Sequence, residues 1–293
     1  MVINKEIEEV KLMDIISHFL QDIKFISGLT IIFSVLSIVY TLSLDNIYKS
    51  EVSLSPIEKS TSGSKSVGGL LSLAGYDLGT DEAESIEVHI EYLKSRDFNK
   101  YLMSLPDILP KLMASESFNS ESKQIIYNEE LYDPVSSSWK EGKEPSFLIA
   151  HKKLKEDLEV TIDDSGIVRV SFQHISPVFA KYFLDVILNE FNIISSEKAQ
   201  RKIERSLDYL YKKYDEIKTN SVKTSIGNLI EEQLKNQMMI KSREYHVFDI
   251  IDPPHLPEEK SAPNRTQTVI FITLLGFFIA SFISLIRLFL RSK

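Results

Sequence analysis

Six histidines, His18, His89, His151, His174, His246 and His255, are the side chains in this chain best suited to ligate a metal or carry a proton near neutral pH. None pairs at HExxH or comparable ligand spacing. His89-Ile90-Glu91 matches half of a zinc deaminase signature, but the other half needs cysteines and the chain has none. A surface helix accounts better for those residues. Asp163 and Asp164 are adjacent acids, yet they precede Ser165 and Gly166 between two β-branched runs, where aspartate serves the backbone of a turn. No G-x-S-x-G elbow occurs to present a nucleophile. Gly68 is followed by Gly69 and Leu70, without the lysine and hydroxyl that a P-loop needs. The residue types therefore predict no catalytic constellation, no metal site and no cofactor site. The chain reads as a non-enzyme.

The elements that would have to position any site are dominated by two uncharged apolar runs. Phe25 to Leu44 holds twenty residues without a charge and Thr266 to Ile286 holds twenty-one. Each is long enough to cross roughly 30 Å of hydrocarbon as a helix. The first is too long for the apolar core of a cleaved signal peptide and reads as a retained anchor. Lys5, Lys11 and Lys24 precede it, and Arg287, Arg291 and Lys293 follow the second run. Lys49, Lys59, Lys260 and Arg265 lie at the opposite ends, so the charge bias toward cytoplasmic termini is modest. The middle of the chain, roughly 220 residues, is expected outside the cytoplasm, since long segments translocate largely regardless of charge. A net charge of −8 argues against a general nucleic-acid binder. The absence of cysteine excludes disulfides and thiolate metal sites without settling the compartment.

The predicted order is a cytoplasmic amphipathic start (1–24), a first span (25–44), an α/β base (45–175), a long helix with a returning helix (176–244), a strand with a proline-rich strap (245–265), a second span (266–286) and a cytoplasmic tail (287–293). Leu12, Ile15, Ile16, Phe19, Leu20 and Ile23 recur at helical spacing in the start. Ile47 to Ile57 alternates as a strand. Ser60 to Gly79 is a glycine- and serine-rich loop whose VGGLLSLAG is apolar enough to pack on something. Asp81 to Met103 reads as one or two helices. LEVTI and IVRVSF, within Leu158 to His174, read as a hairpin, and Tyr245 to Ile251 as a further strand. A small sheet drawing on both ends of the middle segment would hold the two anchors close together.

Ser176 and Pro177 make an N-cap and first-position pair. Apolar residues then continue at helical spacing to about Thr219, which implies a helix on the order of 60 Å long that must project from a small domain. Its far part carries Ile203, Leu207, Leu210, Tyr214 and Ile217, stepping by four, three, four and three. That narrow stripe predicts a helix-packing seam, both against the returning helix (Ile226 to Arg243) and between copies of the chain.

The strap, Asp252 to Arg265, packs Pro253, Pro254, Pro257 and Pro263 into fourteen residues. Proline lacks a backbone donor and pushes its predecessor to extended geometry, so the strap is a stiff connection that sets the sheet's height above the bilayer, with Arg265 at the interface. In the second span Gly276 and Ala280 form a small-xxx-small pair, with Ser281 and Ser284 nearby, fit for close helix approach within the chain or to a partner.

The sequence resembles the Wzz-type chain-length determinants, polysaccharide co-polymerases of the Gram-negative inner membrane. The resemblance is carried by VGGLLSLAG, by LKSRDF, by the Trp139 region with EPS at Glu144 to Ser146, and by ISPVFAK at Ile175 to Lys181. LIEEQLKNQMM at Leu229 to Met239 and YHVFDIIDPPHLPEEKSAPNR extend it, the last being the most specific. It implies an α+β periplasmic domain with a long projecting helix, flanked by two transmembrane helices. It also implies a ring-forming homo-oligomer that sets how many O-antigen repeat units a membrane polymerase adds to a lipid-linked polysaccharide. Relatives that govern capsule often carry a cytoplasmic kinase domain, for which the seven residues after Ile286 leave no room. A membrane-anchored adaptor of a capsule, exopolysaccharide or other export machine is the alternative; an envelope enzyme is a weaker one.

Overall fold

The computed structural model describes residues 22–57, 86–242, 245 and 247–291, with side chains through 287. The amphipathic start before Asp22, the VGGLLSLAG loop, residues 81–85, His18 and His246 lie outside the described residues. The chain divides into two compact units, one formed by Met1–Ile47 with Lys260–Lys293 and the other by Tyr48–Glu259.

The larger unit is built on a four-stranded antiparallel sheet. Its strands are β1 (Tyr48–Pro56), β6 (Leu158–Ile162), β7 (Val168–His174) and β8 (Phe248–Asp252), in the order β6-β7-β1-β8. The predicted hairpin is present, with Val160 opposite Val170. Its turn closes because Asp163 Oδ1 accepts from the backbone N–H groups of Ser165 and Ile167, and Gly166 takes φ +79°, a left-handed conformation glycine adopts without cost. Strand β1 alternates as the sequence predicts, burying Ser50, Val52 and Leu54. The last strand begins three residues later than expected, and a register shift at Ser53/Leu54 interrupts its pairing with β1.

Between β1 and β6 lie α2 (Ile86–Leu93), α3 (Arg96–Ser104), α4 (Ile108–Met113) and α5 (Phe147–Asp157), with the small hairpins β2 (Ser115–Asn119)/β3 (Gln124–Tyr127) and β4 (Tyr132–Asp133)/β5 (Ser138–Trp139). Sequence patterning finds α2 and α3 but neither α5 nor the small hairpins. His89 does not lie on an open helix face. It is half-buried, its ring edge-on to Phe191 and Phe248 at 6.2 Å.

The long helix α6 (Pro177–Glu216) runs forty residues, about 60 Å at 1.5 Å per residue. Ser176 caps it, accepting from Phe179 N–H at 3.2 Å, with Pro177 in the first turn. Phe179, Phe183, Ile187 and Phe191 line its inward face at helical spacing and join Val52, Leu54, Val170, Phe172, Phe98, Leu102 and Leu154 in one core. Beyond Phe191, Ile203 and Leu207 of α6 belong to a separate cluster with Ile240 of α7 (Asn220–Ser242), apart from the base core. Helix α7 begins six residues before the expected returning helix. Gly227 does not break it, although glycine costs only about 1 kcal/mol there.

His174 ties the end of β7 to the start of α6. It is buried, accepts from Ser176 N–H through Nδ1 at 3.0 Å and donates from Nε2 to the carbonyl of Lys111 at 3.0 Å. The neutral ring supplies one acceptor and one donor; a second proton would meet the Ser176 N–H. Burial holds its pKa down from 6.5 to about 4. A folded pKa below the unfolded one means that the contribution is complete above pH 6.5 and is lost as pH falls through 4, amounting to at most about 3 kcal/mol. The urea midpoint of the full chain in detergent is therefore expected to drop between pH 6.5 and 4 more steeply than that of His174→Gln. Equal slopes would contradict this.

The smaller unit pairs α1 (Ile23–Leu42) with α8 (Arg265–Arg291), both long and apolar enough to cross a membrane. Large apolar side chains such as Ile31, Val35, Phe271, Phe278 and Phe282 point outward and are exposed, the pattern of spans solvated by hydrocarbon rather than of a soluble core.

Candidate functional site

Three places in the chain answer to the residues the sequence singles out. The first is the strap. Its early part leaves β8 extended, with Pro253 exposed and Pro254 and Pro257 buried, and the carbonyl of His255 accepts from the buried Ser50 hydroxyl at 2.7 Å. Its late part is tied to the exit of α1. Ile47 N–H donates to the carbonyl of Ala262 at 2.8 Å, while Ser261 N–H returns a bond to the carbonyl of Ile47 at 2.8 Å. Arg265 donates to the carbonyl of Leu44 at 3.3 Å and to Asn46 Oδ1 at 3.2 Å. Pro263 sits half-buried inside this tie. With no proline N–H to offer, the strap is bound through Ser261, Ala262 and Arg265. Ser50, Asn46 and Ile47, its partners, carry no mark in the sequence that distinguishes them from their neighbours.

The second is the contact between the two spans. Gly276, Ala280 and Ser284 recur every four residues and are all buried, facing α1, where Ile26, Ser37 and Thr41 are buried in turn. A Cβ on Gly276 would come within 2.5 Å of the Phe33 Cβ, so the backbone approach depends on its absence. Ser284 donates to Asp22 Oδ2 at 3.0 Å, and the Arg287 guanidinium lies 3.8 Å over the ring of Phe25. The small-residue pair is thus used within the chain.

The third is the helical hairpin. Of the predicted seam, Ile203, Leu207 and Leu210 are buried, and the first two pack with Ile240, Ala199, Ile230 and Leu234. Ile217 is half-buried and Tyr214 is exposed, its ring carrying the Lys223 ammonium at 5.1 Å. The seam is therefore brought together against α7 at Ile203 and Leu207. Ile226, Ile230 and Leu234, four apart, were the available signal for the facing side.

None of the three is a cleft with converging acids, bases or nucleophiles, and among the described residues no group of His, Asp and Glu is placed to hold a metal. What the geometry offers is surfaces that join helices. Residues 8–104 match the family described as Wzz, chain length determinant protein. Through this segment the chain is similar to the Wzz-type family. No curated protein matches it. Solved structures similar to it include a full-length bacterial polysaccharide co-polymerase, at 12% identity and TM-score 0.43, with 97% of this chain and 99% of that one covered. A fragment of the WzzB polysaccharide co-polymerase from Salmonella Typhimurium follows at 12% identity and TM-score 0.31, covering 74% and 100%. A mutant of the Shigella flexneri lipopolysaccharide O-antigen chain-length regulator stands at 11% and 0.24, covering 73% and 100%. At such values these structures carry no argument about the role of this chain. The matched segment takes in α1, β1, α2 and α3.

Proposed function

We propose that this chain is a Wzz-type, non-enzymatic regulator that sets the modal number of O-antigen repeat units added by a membrane polymerase during lipopolysaccharide synthesis. It acts as a ring-forming homo-oligomer in the bacterial inner membrane, with both termini cytoplasmic and the segment between the spans periplasmic. Its partners are the polymerase and the lipid-linked polysaccharide.

The family match supports the regulatory role. The observation that carries the scaffold is the α6/α7 hairpin. Two helices joined along one seam leave most of each cylinder in water, and bundles reach stability by burying apolar positions from several helices at once. This hairpin buries only a thin row, while Tyr209, Tyr211, Tyr214 and Met238 remain exposed on it. Neighbouring copies supply the missing cover. A ring so assembled holds polymerase and growing glycan together for a limited length.

The decisive experiment is a lipopolysaccharide gel from a strain lacking the protein. The expected result is loss of the modal cluster of bands, restored by the wild-type chain. An unchanged ladder accompanied by a secretion defect would replace this function with that of an export adaptor.

A further inference from the structure

We draw no further inference here: the strongest candidate, the apolar cleft where Leu54 of β1 and Phe248 and Ile250 of β8 meet Leu188 and Phe191 of α6, continues the base core already described, and nothing in the structure shows what covers it.

Discussion

Replacing Gly276 with leucine is expected to drive the two spans apart. A built Cβ alone would meet the Phe33 Cβ at 2.5 Å and its Cγ at 2.6 Å, well inside van der Waals contact. Neither atom is the free end of a flexible side chain, so relief requires a shift of the α1 backbone. In hydrocarbon no solvent force pushes the helices together again, because the lipid tails are as apolar as leucine and association rests on packing. Overpacking of this kind costs about 1–3 kcal/mol even where a core can adjust. A chain without cysteine makes the measurement direct. Cysteines placed at Asp22 and Ser284, whose side chains are 3.0 Å apart, should form an intramolecular disulfide efficiently in the parent and several-fold less in the leucine variant. Gly276→Ala should fall between. Gly28→Leu is the control, since a Cβ there meets nothing within 4 Å. Unchanged cross-linking in the Gly276 variants would show that the close approach is dispensable.

The two glycines also mark what the sequence discloses about the spans. Length and absence of charge are enough to locate both, but only the four-residue spacing to Ala280 distinguishes Gly276 from Gly28, and that spacing does not say which helix it faces. Elsewhere, legible features are those in which local chemistry and fold agree. Asp163 to Gly166 makes the turn of β6/β7, and Ser176-Pro177 starts α6. The illegible ones depend on partners distant in the chain. The bond from Ser50 to the carbonyl of His255 joins residues 205 apart, and nothing in either neighbourhood announces it. Helix α5 escapes notice because HKKLKED is mostly charged and only Ala150, Leu154 and Asp157 turn inward. His174 looks like one of six equivalent histidines until its two backbone partners are seen.

The hairpin is where a single substitution should have the widest effect. Leu207 lies between Ile203 and Ile240 in a cluster of few residues, so Leu207→Asp removes a large share of what joins α6 to α7. Truncating a buried leucine to alanine alone costs about 2–5 kcal/mol. A carboxylate adds a desolvation penalty, with no cation among the buried members of the cluster to offset it. The base core from Val52 to Phe191 is a separate cluster and should persist. The expected result is local: fast amide exchange and proteolysis across residues 196–242, with protection of the β1, β7 and β8 strands unchanged. If the hairpin is the scaffold of a ring, the same variant should lose oligomer mass and the modal glycan length together. Tyr211→Asp separates these two consequences. Tyr211 is 48% exposed and is not a member of the seam cluster, so exchange protection of the hairpin should survive while assembly weakens. Should Leu207→Asp keep a protected hairpin, the seam would not be what holds α6 to α7. Should Tyr211→Asp leave oligomer mass intact as well, copies of the chain do not meet on that face.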